Sequence, residues 1–384
     1  MSRLDRLIKE LCPNGVEYKN LSQVLSIKNG KDYKSFGKGD VPVYGTGGIM
    51  TYIDQAVYAQ PSVLIPRKGS LDKLYYVDVP FWTVDTIFYT DIKTEVIEPK
   101  FIFYYLQAQH LEKLNTAGGV PSLTQAVLNT VKIPVPPLAV QCEIVRILDN
   151  FTELTAELTA ELTARKKQYE YYRNKLLTFG DEVEWKTLGD IGTIIRGNGL
   201  QKSDFSENGI RCIHYGQIYT YYGMIAKDTK SFVAPEVAKK LKKVSTGDII
   251  IAITSENVED VCKCVVWLGK EDIVTGGHTA IFKHNQNAKY IAYYLQTEAF
   301  FEQKRRIAHG TKVIEVSPKK LEKIKIPVPP LSEQESIVSI LDKFDALVND
   351  ISIGLPAEIQ ARQKQYEYYR DKLLSFKEAA NEQL

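Results

Sequence analysis

Residues 194–223 read IIRGNGLQKSDFSENGIRCIHYGQIYTYYG and interleave Arg196, Asn198, Lys202, Arg211, His214, Tyr215, Gln217 and Tyr219. These side-chain types suit nucleic acid. Arg forks guanine, Asn and Gln fork adenine, Lys grips phosphate, and Tyr packs on sugars or methyl groups. Two further stretches, ITSENVEDVCK (253–263) with Asn257 and VTGGHT (274–279) with His278, put polar tips at the ends of candidate strands. The first third of the chain carries a parallel set. There KNGKDYK (28–34), YGTGGIMTY (44–52) and IPRKGSLDK (65–73) supply Lys28, Lys31, Tyr44, Thr46, Arg67, Lys68 and Ser70. Any one of these residues also suits a solvated loop, so the reading rests on their accumulation in two separate regions.

Other chemistries find no motif. Gly197 to Ser203 (GNGLQKS) fails the P-loop spacing, and there is no GxSxG elbow. Both Pro-Pro pairs stand in VPPL, not in the Asn/Asp-Pro-Pro-aromatic tetrapeptide of an adenine amino-methyltransferase. His110, His214, His278, His284 and His309 form no HExxH pair. Cys262-x-Cys264 lacks a second cysteine pair and reads as two strand residues facing one side, not as zinc ligands. No catalytic residue and no metal ligand is assigned, which favours a binding or scaffolding role. A coiled-coil adaptor with two ligand- or protein-binding domains stays open, as does a nuclease with an unrecognised metal site.

The elements that must position these residues come from a chain of 384 residues, 44% hydrophobic and 25% charged, which fits two or three globular domains. No apolar run approaches the ~18–20 residues of a membrane span. MSRLDRLIKELCPNG has no signal-like apolar region, and five scattered cysteines make no disulfide framework, so the cytoplasm is the expected compartment. The net charge of +2 is uneven: +1 over 1–131, −2 over 132–185, +7 over 186–325 and −4 over 326–384. The basic excess of the third segment suits a polyanion partner.

Self-similarity organises the whole. KIPVPPLAVQCEIVRILDNF (132–151) repeats as KIPVPPLSEQESIVSILDKF (325–344), and ARKKQYEYYRNKLLTF (164–179) as ARQKQYEYYRDKLLSF (361–376). Fainter echoes pair VEYKNL (16–21) with VEWKTL (183–188), and YYLQ at 104–107 with YYLQ at 293–296. After Pro136-Pro137, apolar residues from Ile144 to Leu176 recur at spacings of three, four or seven, which predicts one helix over 138–179, about 60 Å long. The second copy opens on Ser332-Glu333-Gln334-Glu335, a capping box, and is interrupted at Gly354-Leu355-Pro356, with helix resuming by Ala357. TAEL occurs twice in register (155–158, 159–162), a tract whose length is a ruler in principle. Strands are expected over Ser62–Pro66, Leu74–Val79, Thr86–Thr90, Asp248–Thr254, Val261–Leu268 and Ala280–Lys283, and helices over Lys100–Leu114 and Lys289–Gln303.

The repeated IPVPPL…IV-ILD-F and KQYEYYR-KLL-F blocks with the TAEL tract resemble the specificity subunit of type I restriction–modification systems, the IC subfamily in particular. RKGSLDKLYYVDVPFWTVDTIFYT (67–90) and GDIIIAITSENVEDVCK (247–263) resemble its target recognition domains. The resemblance implies an α+β fold in which two β-rich recognition domains alternate with two long helices packed as an antiparallel coiled coil. Its parts would be a first recognition domain (1–137), a first spacer helix (138–179), a second recognition domain (180–330), a second spacer region (331–376) and a tail (377–384). It also implies a non-catalytic reader of a bipartite, asymmetric site in double-stranded DNA. Two methylation subunits, which bind S-adenosylmethionine, and two restriction subunits, which use ATP and Mg, would dock on it; the chain itself would hold no cofactor. By that resemblance Phe151, Leu154, Leu158, Tyr169, Tyr172, Leu176, Phe344, Tyr366, Tyr369 and Leu373 lie on the helices that pack together and support the partners.

Overall fold

The computed structural model describes residues 2–115 and 118–379. The chain is α+β and divides into two compact units, Met1–Thr159 with Glu358–Leu384, and Ala160–Ala357. Of the tail expected over 377–384, residues 380–384 lie outside the described residues.

In the first unit, α1 (Arg3–Leu11) starts at a capping box in which Ser2 and Asp5 exchange bonds of 2.9 and 3.0 Å. After β1 (Tyr18–Asn20), strands β2 (Leu25–Asn29), β3 (Ser62–Pro66), β4 (Tyr75–Val77) and β5 (Ile87–Ile92) form a sheet in the order β2-β5-β3-β4. All five residues of β3, SVLIP, are buried, as an interior strand covered on both faces requires. α2 (Pro99–Ala108) packs on β3 and β4, with Pro99 in the first turn, where its missing N–H costs nothing. The helix expected over Lys100–Leu114 stops early: His110 turns left-handed at φ 52°, and a separate tight turn follows over Leu111–Leu114. β6 (Lys132–Pro134) returns to pair antiparallel with β1.

α3 (Leu138–Leu176) is one continuous helix of 39 residues. Beyond it, β7 (Trp185–Thr187) precedes β8 (Gly192–Arg196), β9 (Ile249–Ala252), β10 (Cys264–Trp267) and β11 (Thr279–His284). Their order is β8-β11-β9-β10, the arrangement of the first unit, with Ile225–Ala226 added at the edge. The single helix expected over Lys289–Gln303 is two, α4 (Ala288–Tyr294) and α5 (Glu298–Ile307), because the Thr297 hydroxyl accepts the Phe300 N–H at 3.3 Å and starts a new helix. β12 (Lys325–Pro327) pairs with β7 as β6 does with β1. Then α6 (Leu331–Asn349) and α7 (Leu355–Leu373) flank the expected break, where the Asp350 carboxylate gathers the N–H groups of Ser352 and Ile353 at 2.7 and 3.2 Å.

Two further expectations fail. Ser332-Glu333-Gln334-Glu335 makes no capping box: α6 begins at Leu331 without a side-chain cap, and Gln334 turns into the interior. Cys262 and Cys264 are not two residues of one strand, because Cys262 sits at φ 68° in the turn before β10. Burial there pushes both thiols up to about 12, so they stay protonated and inert.

The repeated motifs meet in one joint per unit. Asp149 accepts the Tyr104 hydroxyl at 2.6 Å and pairs with Lys100 at 2.8 Å; Asp342 takes Tyr293 at 2.8 Å and Lys289 at 2.6 Å. Buried Gln141 accepts the Glu98 N–H at 2.8 Å and donates to the Pro136 carbonyl at 2.6 Å. Gln334 does the same with Asn287 and Pro329 at 3.0 and 2.8 Å. The second tyrosine of each YYLQ, Tyr105 or Tyr294, donates to the carbonyl of Lys132 or Lys325. YYLQ, KIPVPPL and ILD thus recur because together they seat a sheet on its helix.

The KQYEYYR copies cross over. Tyr369, from the second copy, stacks on Phe151 of the first at 5.6 Å and 21°. Tyr172, from the first, stacks on Phe344 of the second at 5.5 Å and 22°. Tyr169 also stacks on Phe344, and Tyr366 meets Tyr104 edge-on, both at 6.5 Å. Leu176 packs on the second unit's core and Leu373 on the first's, while Leu154 and Leu158 are half-buried on α3. Each unit therefore joins one copy's ILD helix to the other copy's KQYEYYR helix.

Candidate nucleic-acid interface

In both sheets the loops that follow the first strand, follow the interior strand and precede the last strand are fastened together at one edge. In the first unit the Lys31 N–H donates to the Thr83 carbonyl at 2.8 Å, and the Trp82 indole donates to the Lys31 carbonyl at 2.9 Å. The Thr46 hydroxyl lies 2.9 Å from the carbonyls of both Lys68 and Thr86. Arg67 is half-buried, its guanidinium 5.8 Å over the Phe88 ring and 3.4 Å from the Asp85 carbonyl. Lys28, Lys31, Lys68 and Ser70 are exposed around it. Tyr44 is instead packed against Tyr75 and Phe81, and burial raises its pKa.

The second unit's edge is denser. Asn198 bridges to Gly276 and donates to the Lys240 carbonyl at 2.8 Å. Exposed His278 packs tilted against Tyr215, the rings 4.7 Å apart at 43°, and lies 3.1 Å from the Thr254 hydroxyl. Arg196 is paired with Glu315 at 2.9 Å and remains half exposed. Lys202 is exposed, and exposed Asn257 caps the Asp260 N–H at 2.7 Å. Other members of the stretch from 211 to 219 are engaged within the fold. Arg211 pairs with Asp228 and Glu271 over the Phe232 ring, and Gln217 donates to Ser231 at 2.6 Å. The Tyr219 hydroxyl is half-buried and donates to the Thr254 carbonyl at 2.8 Å.

His214 is buried, and its Nδ1 accepts the Gly216 N–H at 3.2 Å, which requires the neutral ring. Burial lowers the pKa of His214, and of His284, below the ordinary 6.5. The unfolded chain then binds the extra protons, so this stability is complete above pH 6.5 and is lost as pH falls toward the lowered values. The second unit's denaturation midpoint should drop between pH 7 and 5, with a shallower drop in His214→Gln. Equal slopes in urea melts of the two proteins would contradict this.

Sequence reasoning passed over two residues at these edges, Asn29 and Glu315. The offset of 167 that aligns VEYKNL with VEWKTL, carried eight residues further, places Asn29 opposite Arg196. Glu315 comes into view through the pairing of Thr254 with it, a contact across more than sixty residues that no local pattern announces. Among the described residues there is no group of three or more His, Cys, Asp or Glu able to hold a metal, and no helix long and apolar enough to cross a membrane.

The profile of the type I restriction modification DNA specificity domain matches residues 13–165 and 180–361, one match per repeat. The chain belongs to the type I restriction–modification specificity family. Members of this family recognise DNA and do no catalysis themselves, which agrees with the absence of a catalytic motif in the sequence. The chain is 32% identical to a putative type I restriction enzyme specificity subunit of Haemophilus influenzae, covering 94% of this chain and 96% of that protein. It is 41% identical to the EcoR124I/EcoR124II specificity subunit of Escherichia coli over 72% of this chain and 70% of that one. Among solved structures it resembles the S subunit from M. genitalium (TM-score 0.55, 16% identity, 94% and 96% coverage). A chain from a study of type I R–M complex assembly gives TM-score 0.63 at 15% identity, with 94% and 98% coverage. Both likenesses establish the specificity-subunit fold.

Proposed function

We propose that this chain reads a bipartite, asymmetric site in double-stranded DNA, each unit's loop edge taking one half. On this reading residues 1–137 and 180–330 are the target recognition domains, and 138–179 and 331–376 the spacers. Two methylation subunits carrying S-adenosylmethionine dock on the aromatic-rich helices, and two restriction subunits using ATP and Mg complete a cytoplasmic assembly. The observation that carries the reading is a shared frame with different tips. The sheet order and edge are the same in both units, but Lys28, Lys31, Arg67 and Lys68 stand on one, and Arg196, Asn198, Tyr215 and His278 on the other. Equal frames supply two readers, and unequal side chains supply two different sequences.

The direct test is adenine methylation by a cognate methylation subunit, which should depend on this chain and fall at a split site. Methylation that ignores base order would overturn the reading. Deleting Thr159–Leu162 shortens α3 by about 6 Å, one helical turn and a little more. Methylation mapping should then show a changed gap with both half-sites intact, and an altered half-site at the old gap would refute the spacer role.

A further inference from the structure

β2 and β8 are equivalent strands that end at equivalent residues, Asn29 and Arg196. Each pairs antiparallel along its length with the last strand of its sheet, Asn29 opposite Phe88 and Arg196 opposite Ala280. Each is followed by a glycine that fixes the exit of the chain. A Cβ on Gly30 would overlap the Val84 carbonyl, and one on Gly197 the Gly276 carbonyl. The two side chains are therefore carried at the same place on the same frame, and both are exposed.

Each also has a polar neighbour contributed by the segment just before the shared Pro motif. The Gln125 amide donates to the Asn29 Oδ1 at 3.4 Å, and the Arg196 Nη2 pairs with the Glu315 Oε1 at 2.9 Å. These contacts leave the recognising atoms available. Asn29 keeps its Nδ2 donors and a second lone pair on Oδ1, and Arg196 keeps further N–H groups of its fork. The major-groove edge of adenine offers an acceptor beside a donor, which an amide matches; guanine offers two acceptors, which a guanidinium matches.

We propose that Asn29 and Arg196 are the equivalent base-reading residues of the two half-sites, Asn29 taking an adenine and Arg196 a guanine. Gln125 and Glu315 are their positioning residues, holding each fork in the orientation it needs. The proposal rests on the DNA-reading function proposed above and assigns one base in each half.

The test is methylation mapping by the full assembly with wild-type chain, Arg196→Asn, Arg196→Lys, Asn29→Arg and Glu315→Gln. Arg196→Asn should lose the wild-type site roughly ten- to a hundredfold. It should favour adenine over guanine at one position, with the other half-site and the gap unchanged. Asn29→Arg should do the converse in the other half. Arg196→Lys keeps the charge and loses the fork, so base choice at that position should relax while the salt dependence of DNA binding is kept. Glu315→Gln should relax the same position, whereas a merely structural glutamate would lower methylation at every position alike. Unchanged base choice in Arg196→Asn and Asn29→Arg, or loss spread evenly over both half-sites, overturns the proposal. Should the wild-type assembly methylate no split site, the underlying reading falls and takes the proposal with it.

Discussion

Gln334→Leu should lower the stability of the second unit by about 3–5 kcal/mol, although leucine is nearly the same size and more apolar. The side chain is fully buried, and its amide serves three groups: the Asn287 N–H at 3.0 Å, and the Pro329 carbonyl and Gln286 Oε1, both at 2.8 Å. Leucine strands the Pro329 carbonyl in a buried site and leaves the part-buried Asn287 N–H and Gln286 Oε1 without their partner, at about 1–3 kcal/mol for each group that water cannot reach. Asn287 also caps α4 through the N–H groups of Lys289 and Tyr290, so losing its own anchor frays the start of that helix. Gln141→Leu should cost the first unit a similar amount, since it strands the Glu98 N–H and the carbonyls of Val96 and Pro136. Urea unfolding followed by hydrogen exchange is the check. A loss below 1 kcal/mol would mean that water replaces the amide.

Leu341→Ala and Leu148→Ala form a matched pair with effects of about 2–5 kcal/mol each. Both leucines belong to ILD and are fully buried, and they lie in separate cores. Leu341 shares its core with Ile249, Ile251 and Phe282, whereas Leu148 shares its own with Val63, Ile65 and Phe88. Leu341→Ala should therefore accelerate amide exchange in β9 and β11, and Leu148→Ala in β3 and β5. Equal acceleration of all four strands by either variant would show that the two cores melt as one.

Much of this fold is legible because the chain repeats itself. A stretch such as KIPVPPL has no strong meaning alone, but its recurrence beside ILD and KQYEYYR marks a joint used twice. Ser62–Pro66 is found at its expected bounds because a short β-branched run closed by proline leaves little choice. Local grammar misleads where a distant partner competes. Ser332 to Glu335 has the spacing of a capping box, yet the part-buried Asn287 N–H and the buried Pro329 carbonyl claim Gln334, and a cap at an exposed helix start offers less than satisfying them. The position of the candidate residues is legible in part. Side-chain type picks out Arg196 and His278 on the loop edge, but it cannot tell that Arg211 is held by two carboxylates or that His214 is buried. Those outcomes depend on sheet order, which no single stretch encodes.

The chain stitches residue 16 to residue 378: the Val16 N–H donates to the Lys377 carbonyl, the Ala379 N–H donates to the Val16 carbonyl, both at 2.9 Å, and the Tyr18 hydroxyl reaches the Phe376 carbonyl. On the ribosome this reverses the usual order, in which the segment made first is finished first. The second unit has all its residues once 357 has emerged, while the first must wait for 358 onward. A premature stop codon just after the codon for residue 357 would thus spare the unit translated later and cripple the one translated earlier.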